Sequence, residues 1–199
     1  VRDHHGQPLY FLRIVEDVTE RKRLEIELRD LATTDMLTGL PNRRAFIARL
    51  EDEHERLRRF ESQQAAVLIL DLDYFKSIND THGHPGGDAM LRHVAEVIRD
   101  EIRAIDMSSR LGGEEFAVLL TGATLTAARE FAERLRRKIA ALTVMHEGKT
   151  ITVTASIGVA ALRATDENAD TALRFADKAL YRAKDLGRDR VEVLVAGAM

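Results

Sequence analysis

Ala65-Ala66-Val67-Leu68-Ile69-Leu70-Asp71-Leu72 is a continuous apolar run broken only by a carboxylate near its end. A short run of this kind reads as a central strand of a sheet covered on both faces. Side chains alternate along a strand, so Asp71 and Asp73 share one face and Leu72 takes the other. A carboxylate at the end of such a strand is costly to bury unless it is paired or liganded. Asp71 is therefore read as a candidate metal ligand. For Asp73 the plainer reading is a cap on the helix that starts at Tyr74.

Working outward, Tyr74 to Asp80 reads as a short helix, Gly83 to Gly87 as a loop, and Asp88 to Arg103 as an amphipathic helix. Ser109 to Leu111 and Phe116 to Leu120 read as two strands around Gly112-Gly113, a hairpin signal. Thr124 to Leu142 reads as a helix. Thr150 to Ala160 alternates Ile151, Val153, Ala155, Ile157 and Val159, which predicts one strand. Ala169 to Asp185 predicts a helix ended by Gly187, and Arg190 to Val195 a last strand. Upstream, Pro41-Asn42 precedes a helical stretch from Arg43 to Phe60. Interleaved strands and helices with a hairpin predict an α/β (α+β) domain, a mixed sheet with helices packed on it.

The chain has 199 residues, enough for one medium domain with an appendage. With 32% charged and 45% hydrophobic residues, usage is that of a globular protein. A net charge of −3 provides no basic field for a DNA or RNA polymer, yet a small anion needs only local positive charge. There are no cysteines, which excludes disulfides and thiolate metal sites and fits a cytoplasmic protein. No apolar run has the length of a membrane span, so no membrane contact is expected of this stretch. The chain opens on Val1, which reads as a segment cut from a longer protein whose missing parts can include a membrane attachment. Residues 1–18 contain one strand-like segment, Leu9 to Val18, and 19–34 a helix former whose Leu24, Leu28 and Leu31 make a narrow seam. That seam reads either as a linker helix or as a short coiled coil pairing two chains.

Four further segments carry chemistry. Gly112-Gly113-Glu114-Glu115-Phe116 puts two glycines, which let a backbone approach a ligand, before two carboxylates. Alone it is a polar hairpin tip; with Asp71 it makes a cluster suited to a hard, oxygen-seeking cation. Mg²⁺ fits, and so does Mn²⁺. Between Lys76 and Asp88 lie Asn79 and Asp88, an amide and a carboxylate that match the donor edge of guanine; as plain structure they would end and cap helices. His82 and His84 have no third partner at zinc-ligand spacing. Lys184 and Arg188 bracket a helix end, which reads as dipole compensation or as phosphate binding. No P-loop, dinucleotide fingerprint or nucleophile elbow occurs.

Five ordered blocks together resemble the GGDEF family of diguanylate cyclases: DMLTGLPNRR from Asp35, DLDYFKSINDTHGHPGGD from Asp71, RLGGEEF from Arg110, SIGVA from Ser156 and ADKALYRAKDLGRDR from Ala176. The resemblance spans Asp35 to Val191 and implies a fold like the nucleotidyl cyclases and polymerase palms, with a catalytic domain over 35–195. It implies metal at Asp71, the Leu72 carbonyl, Glu114 and Glu115, with Glu114 acting as base and Lys76 also catalytic. Asn79, His84 and Asp88 would meet guanine, and Lys76, Lys184 and Arg188 the triphosphate. The implied reaction joins two GTP into cyclic di-GMP in a homodimer. Arg103-Ala104-Ile105-Asp106 matches the family's inhibitory RxxD site for the product; on residues alone it is a helix-end ion pair. DVTERK from Asp17 resembles the end of a PAS-like sensor domain. The alternative is a catalytically silent module that binds GTP or cyclic di-GMP.

Overall fold

The computed structural model describes residues 32–60 and 64–195, together with His4, His5, Gln7, Thr19 and Glu20. The Leu24, Leu28 and Leu31 seam and the Leu9 to Val18 segment lie outside the described residues. From Thr33 onward the chain forms one compact unit.

That unit is a sheet between two pairs of helices. β1 (Ala65–Leu72) is its third strand and is buried along its whole length. Around it the order is β2 (Met107–Gly112), β3 (Glu115–Thr121), β1, β6 (Ala155–Leu162) and β7 (Val191–Leu194). β1 runs antiparallel to both neighbours, and only β6 and β7 are parallel. Leu68, Leu70 and Leu72 face α2 (Phe75–Glu101) and α3 (Leu125–Ala140), packing with Met90, Val94, Ile98 and Leu135. Val67 and Ile69 face α1 (Arg43–Arg59) and α4 (Asp170–Asp185), packing with Phe46, Leu50, Ala176 and Leu180. The two-sided burial explains why β1 has no polar residue until its end. α4 lies close to β6 because residue 158 is Gly: a Cβ there would stand 2.0 Å from the Ala176 carbonyl oxygen.

Several sequence readings need correction. The predicted strand from Thr150 to Ala160 is two strands. β5 (Lys149–Ile151) pairs with β4 (Val144–His146) in a separate hairpin, and β6 starts at Ala155. The alternation runs through the break because Ile151, Val153 and Ala155 are all buried, although their strand partners change. The predicted loop from Gly83 to Gly87 is a kink at Gly83 alone (φ 69°, ψ 169°), after which the helix resumes around Pro85, where a missing N–H costs nothing. Asp88 is consequently inside a helix and does not cap one.

Candidate active site

Asp71 faces α4 at the C-terminal end of β1. Its carboxylate meets Lys184 Nζ at 2.7 Å. Its strand partner across the sheet is Glu115, the first residue of β3. The Leu72 amide donates to the Glu114 carbonyl at 3.4 Å, which ties the strand end to the glycine turn. Burial pushes the Asp71 carboxyl up; Lys184 opposes this, while Glu114 and Asp73 push it further up. Burial also raises Glu115, with Asp71, Asp177 and Glu114 adding to the effect against Lys184. Like charges thus crowd one strand end with a single lysine against them.

The turn that carries Glu114 is held from outside. Arg110 Nε and Nη2 donate to the Gly113 carbonyl at 2.9 and 2.7 Å. Arg110 Nη1 donates to both carboxylate oxygens of Asp35 at 3.1 and 3.2 Å. Asp35 also accepts from the Thr38 amide and hydroxyl. Burial alone would raise the Asp35 carboxyl; its bonds to Thr38 and Arg110 outweigh that and hold it below the usual carboxylate range. Gly112 and Gly113 have φ of 146° and 53°, which their lack of a Cβ permits.

Asp73 does not cap the following helix. The N-cap position is Tyr74, in left-handed geometry at φ 55° with no side-chain capping bond. The buried Asp73 carboxylate instead accepts from Ser156 Oγ and Thr154 Oγ1, each at 2.7 Å, and from the Asp189 amide at 3.1 Å. It pins β6 and the loop after α4 to the end of β1. That loop carries Arg188, whose guanidinium lies 4.7 Å above the exposed Tyr74 ring.

The remaining predicted residues fall into two groups. Lys76, Asn79, His84 and Asp88 lie along the first part of α2, on either side of its kink. Lys76 and His84 are exposed, Asn79 and Asp88 half-buried. Gly87, the residue before Asp88, leaves the room that the Asn79 side chain occupies: a Cβ on residue 87 would stand 2.0 Å from Asn79 Oδ1. Arg103 and Asp106 lie at the far end of β3, about 20 Å from Glu115 at strand rise. There Asp106 accepts from Arg103 Nε at 3.1 Å and from the Thr121 amide at 3.0 Å. The pair borders a cavity of about 270 Å³ that Phe131 and Arg134 also line.

Asp73, Asp35, Arg110, Gly87 and Tyr74 escaped the sequence reading as site-building residues. Only the strand alternation hinted at one of them, by placing Asp73 beside Asp71.

Among the described residues no three His, Asp or Glu side chains converge into a cage that would hold a metal unaided. The donor chemistry at the Asp71 edge nevertheless fits Mg²⁺ or Mn²⁺, which take one or two carboxylates and complete their shell with carbonyls, water and substrate phosphates. A cation would also relieve the crowding that raises Asp71 and Glu115.

Fold and edge together define a mixed α/β domain with a carboxylate site at a strand end, beside a glycine turn. A family model described as "Diguanylate cyclase, GGDEF domain" matches residues 32–190, and the chain belongs to that family. The diguanylate cyclase DgcP of Pseudomonas aeruginosa is 45% identical over 165 residues, 83% of this chain and 24% of that protein. Diguanylate cyclase A of Treponema denticola is 36% identical over 187 residues, 92% of this chain and 50% of that protein. The chain therefore spans half or less of these relatives' length. Among solved structures, the coiled coil and GGDEF domain of DgcB from Caulobacter crescentus, in complex with c-di-GMP, matches with a TM-score of 0.81 at 31% identity, covering 88% of this chain and 93% of that one. The active GGEEF domain of a diguanylate cyclase from Vibrio cholerae matches with a TM-score of 0.72 at 31% identity, covering 77% of this chain and 97% of that one.

Proposed function

We propose that this chain is the catalytic domain of a diguanylate cyclase that condenses two GTP into cyclic di-GMP. The observation that carries the reading is the crowded carboxylate edge of Asp71, Glu114 and Glu115, beside Lys184 and at the end of a buried strand.

In each half-reaction the 3′-oxygen of one GTP bonds to the α-phosphorus of the other. The bond from that phosphorus to the β-phosphate bridge breaks, and pyrophosphate leaves. Glu114 takes the hydroxyl proton. Asp71, the Leu72 carbonyl and Glu114 would hold Mg²⁺ or Mn²⁺, with Glu115 contributing, and such an ion would supply charge neutralisation at the phosphates. Lys184 exchanges Asp71 for the triphosphate, and Arg188 and Lys76 add cations. Asn79 and Asp88 read guanine with His84 nearby, which favours GTP over ATP. Positioning and charge neutralisation supply most of the rate. Each domain presents one such edge, so two copies face each other as a homodimer.

The RxxD pair of Arg103 and Asp106 binds product and inhibits turnover, because Arg donors and a carboxylate acceptor at one hollow match guanine and phosphate. By resemblance, DVTERK from Asp17 assigns residues 1–18 to the end of a PAS-like domain and 19–34 to a signalling linker, with the catalytic domain over 35–195. The substrate places the domain in the cytoplasm.

The test is turnover of GTP with Mg²⁺ at several protein concentrations, products separated by chromatography. Cyclic di-GMP rising faster than linearly with protein, and lost in Glu114→Ala, is expected. GTP binding without product would identify a silent binding module.

A further inference from the structure

Four non-glycine residues among those described have positive φ, and three of them meet at one corner: Tyr74 (55°), Arg188 (64°) and Asp189 (44°). Residues with a side chain adopt this region only where their surroundings hold them there, and such strain collects at functional sites. Two in succession, in the loop after α4, need restraints that a free loop lacks.

The restraints fall differently on the two residues. The Arg188 amide donates to the Ala183 carbonyl at 3.0 Å. Its guanidinium lies over the Tyr74 ring, with Nη1 3.4 Å from the Tyr74 hydroxyl. Among the described residues no carboxylate pairs with Arg188, so its charge is unspent. Asp189 is held twice. Its amide donates to the Asp73 carboxylate at 3.1 Å, and its own carboxylate accepts from Arg136 Nη1 at 2.6 Å.

Arg136 reaches this loop from the other side of the sheet. It belongs to α3, which packs on the face opposite α4. One turn further along, Ala140 borders the same corner as Asp73 and Tyr74. The Arg136 guanidinium is already anchored, because Nε donates to Glu133 at 3.1 Å and only 18% of the side chain is exposed. Exposed ion pairs contribute little when two long side chains must be ordered to make them; here one partner is fixed on a helix beforehand. The pair also settles charge. Asp189 is the neighbour of the residue assigned to the triphosphate, and an unpaired carboxylate there would repel that anion. Arg136 neutralises it from behind.

We infer that Arg136 is a positioning residue for phosphate binding: without touching the nucleotide it holds Asp189, and through Asp189 it keeps Arg188 aimed at the triphosphate. The inference rests on the cyclase reading above, in which Arg188 meets the triphosphate. It gives α3 a part in substrate binding although none of its side chains lies at the carboxylate edge.

The test is a double-mutant cycle on affinity for 3′-deoxy-GTP with Mg²⁺, a probe that cannot attack. Calorimetry compares wild type, Arg136→Ala, Arg188→Ala and the double variant. Arg136→Ala should weaken binding about fivefold when Arg188 is present and less than about twofold when it is not, since residues that act as a unit are non-additive. Arg136→Gln keeps the side-chain stem and loses the guanidinium; it takes the place of Arg136→Ala in the cycle if that variant does not fold. The same factor in both backgrounds marks a merely structural residue and overturns the inference, as does undiminished affinity in the Arg136 variant. Undiminished affinity in Arg188→Ala overturns the phosphate assignment on which the inference stands. A wild type that does not bind the probe overturns the GTP reading itself.

Discussion

Asp71 and Asp73 lie two residues apart at the end of one strand, and their surroundings are opposite. Asp73 accepts from two hydroxyls and one amide, all within 3.1 Å. Asp71 has one lysine, and like-charged neighbours that raise its proton affinity. The first is a structural joint with every partner supplied by the protein. The second is left wanting a cation. A buried carboxylate is tolerated when it is fully bonded or when its energetic deficit serves a ligand, and this strand end contains one of each.

The sharpest way to break the contrast is Asp73→Ala. It leaves the Ser156 and Thr154 hydroxyls and the Asp189 amide without their acceptor, and should destabilise the fold by on the order of 3 kcal/mol. Urea unfolding should show a lower midpoint at unchanged slope.

Arg110→Ala comes next. It removes two bonds to Gly113 and the ion pair to Asp35, for about 2 kcal/mol, and loosens the turn that carries Glu114. Turnover should fall by more than the stability loss explains, measured well below the unfolding transition. The Asp35 carboxyl is held low in the folded protein, so its contribution is present above the unfolded pKa and is lost as pH falls through the folded one. Asp35→Asn should therefore differ from wild type at pH 7 and converge with it in acid.

Glu115→Gln should have the smallest effect on the fold and the opposite sign. The Glu115 carboxyl is raised, so the folded protein binds that proton more tightly than the unfolded chain. Its charge costs stability at neutral pH, and the cost fades as pH falls through the raised pKa. The substitution should stabilise by under about 1 kcal/mol at pH 7, because the group is only half-buried. The gain should disappear in acid; a gain that persists there would point to packing.

The same pair of residues shows what the sequence made legible. Asp71 stood out because it interrupts an apolar run, a local signal. Asp73 was misread as a cap because an aspartate before a helix usually is one; its partners lie 81, 83 and 116 residues away. The central strand, the helix that ends before Gly187 and the glycine hairpin were legible from periodicity and turn residues. The β4–β5 hairpin was not: its strands have three residues each, too short for a pattern, and its turn rests on Glu147 and Gly148 both having positive φ. Asn79 and Asp88 were legible as candidates, but the seat of the Asn79 side chain depends on Gly87 having none of its own.

The most direct measurement takes product formation and unfolding free energy on the same preparations of wild type and Asp71→Asn. With GTP and Mg²⁺ the wild type should accumulate cyclic di-GMP. Asp71→Asn should make at least about a hundredfold less, as loss of transition-state charge stabilisation does, while being as stable as wild type or more so. An Asp71→Asn protein that keeps its turnover, or loses stability as Asp73→Ala does, would contradict the assignment of that strand end to chemistry.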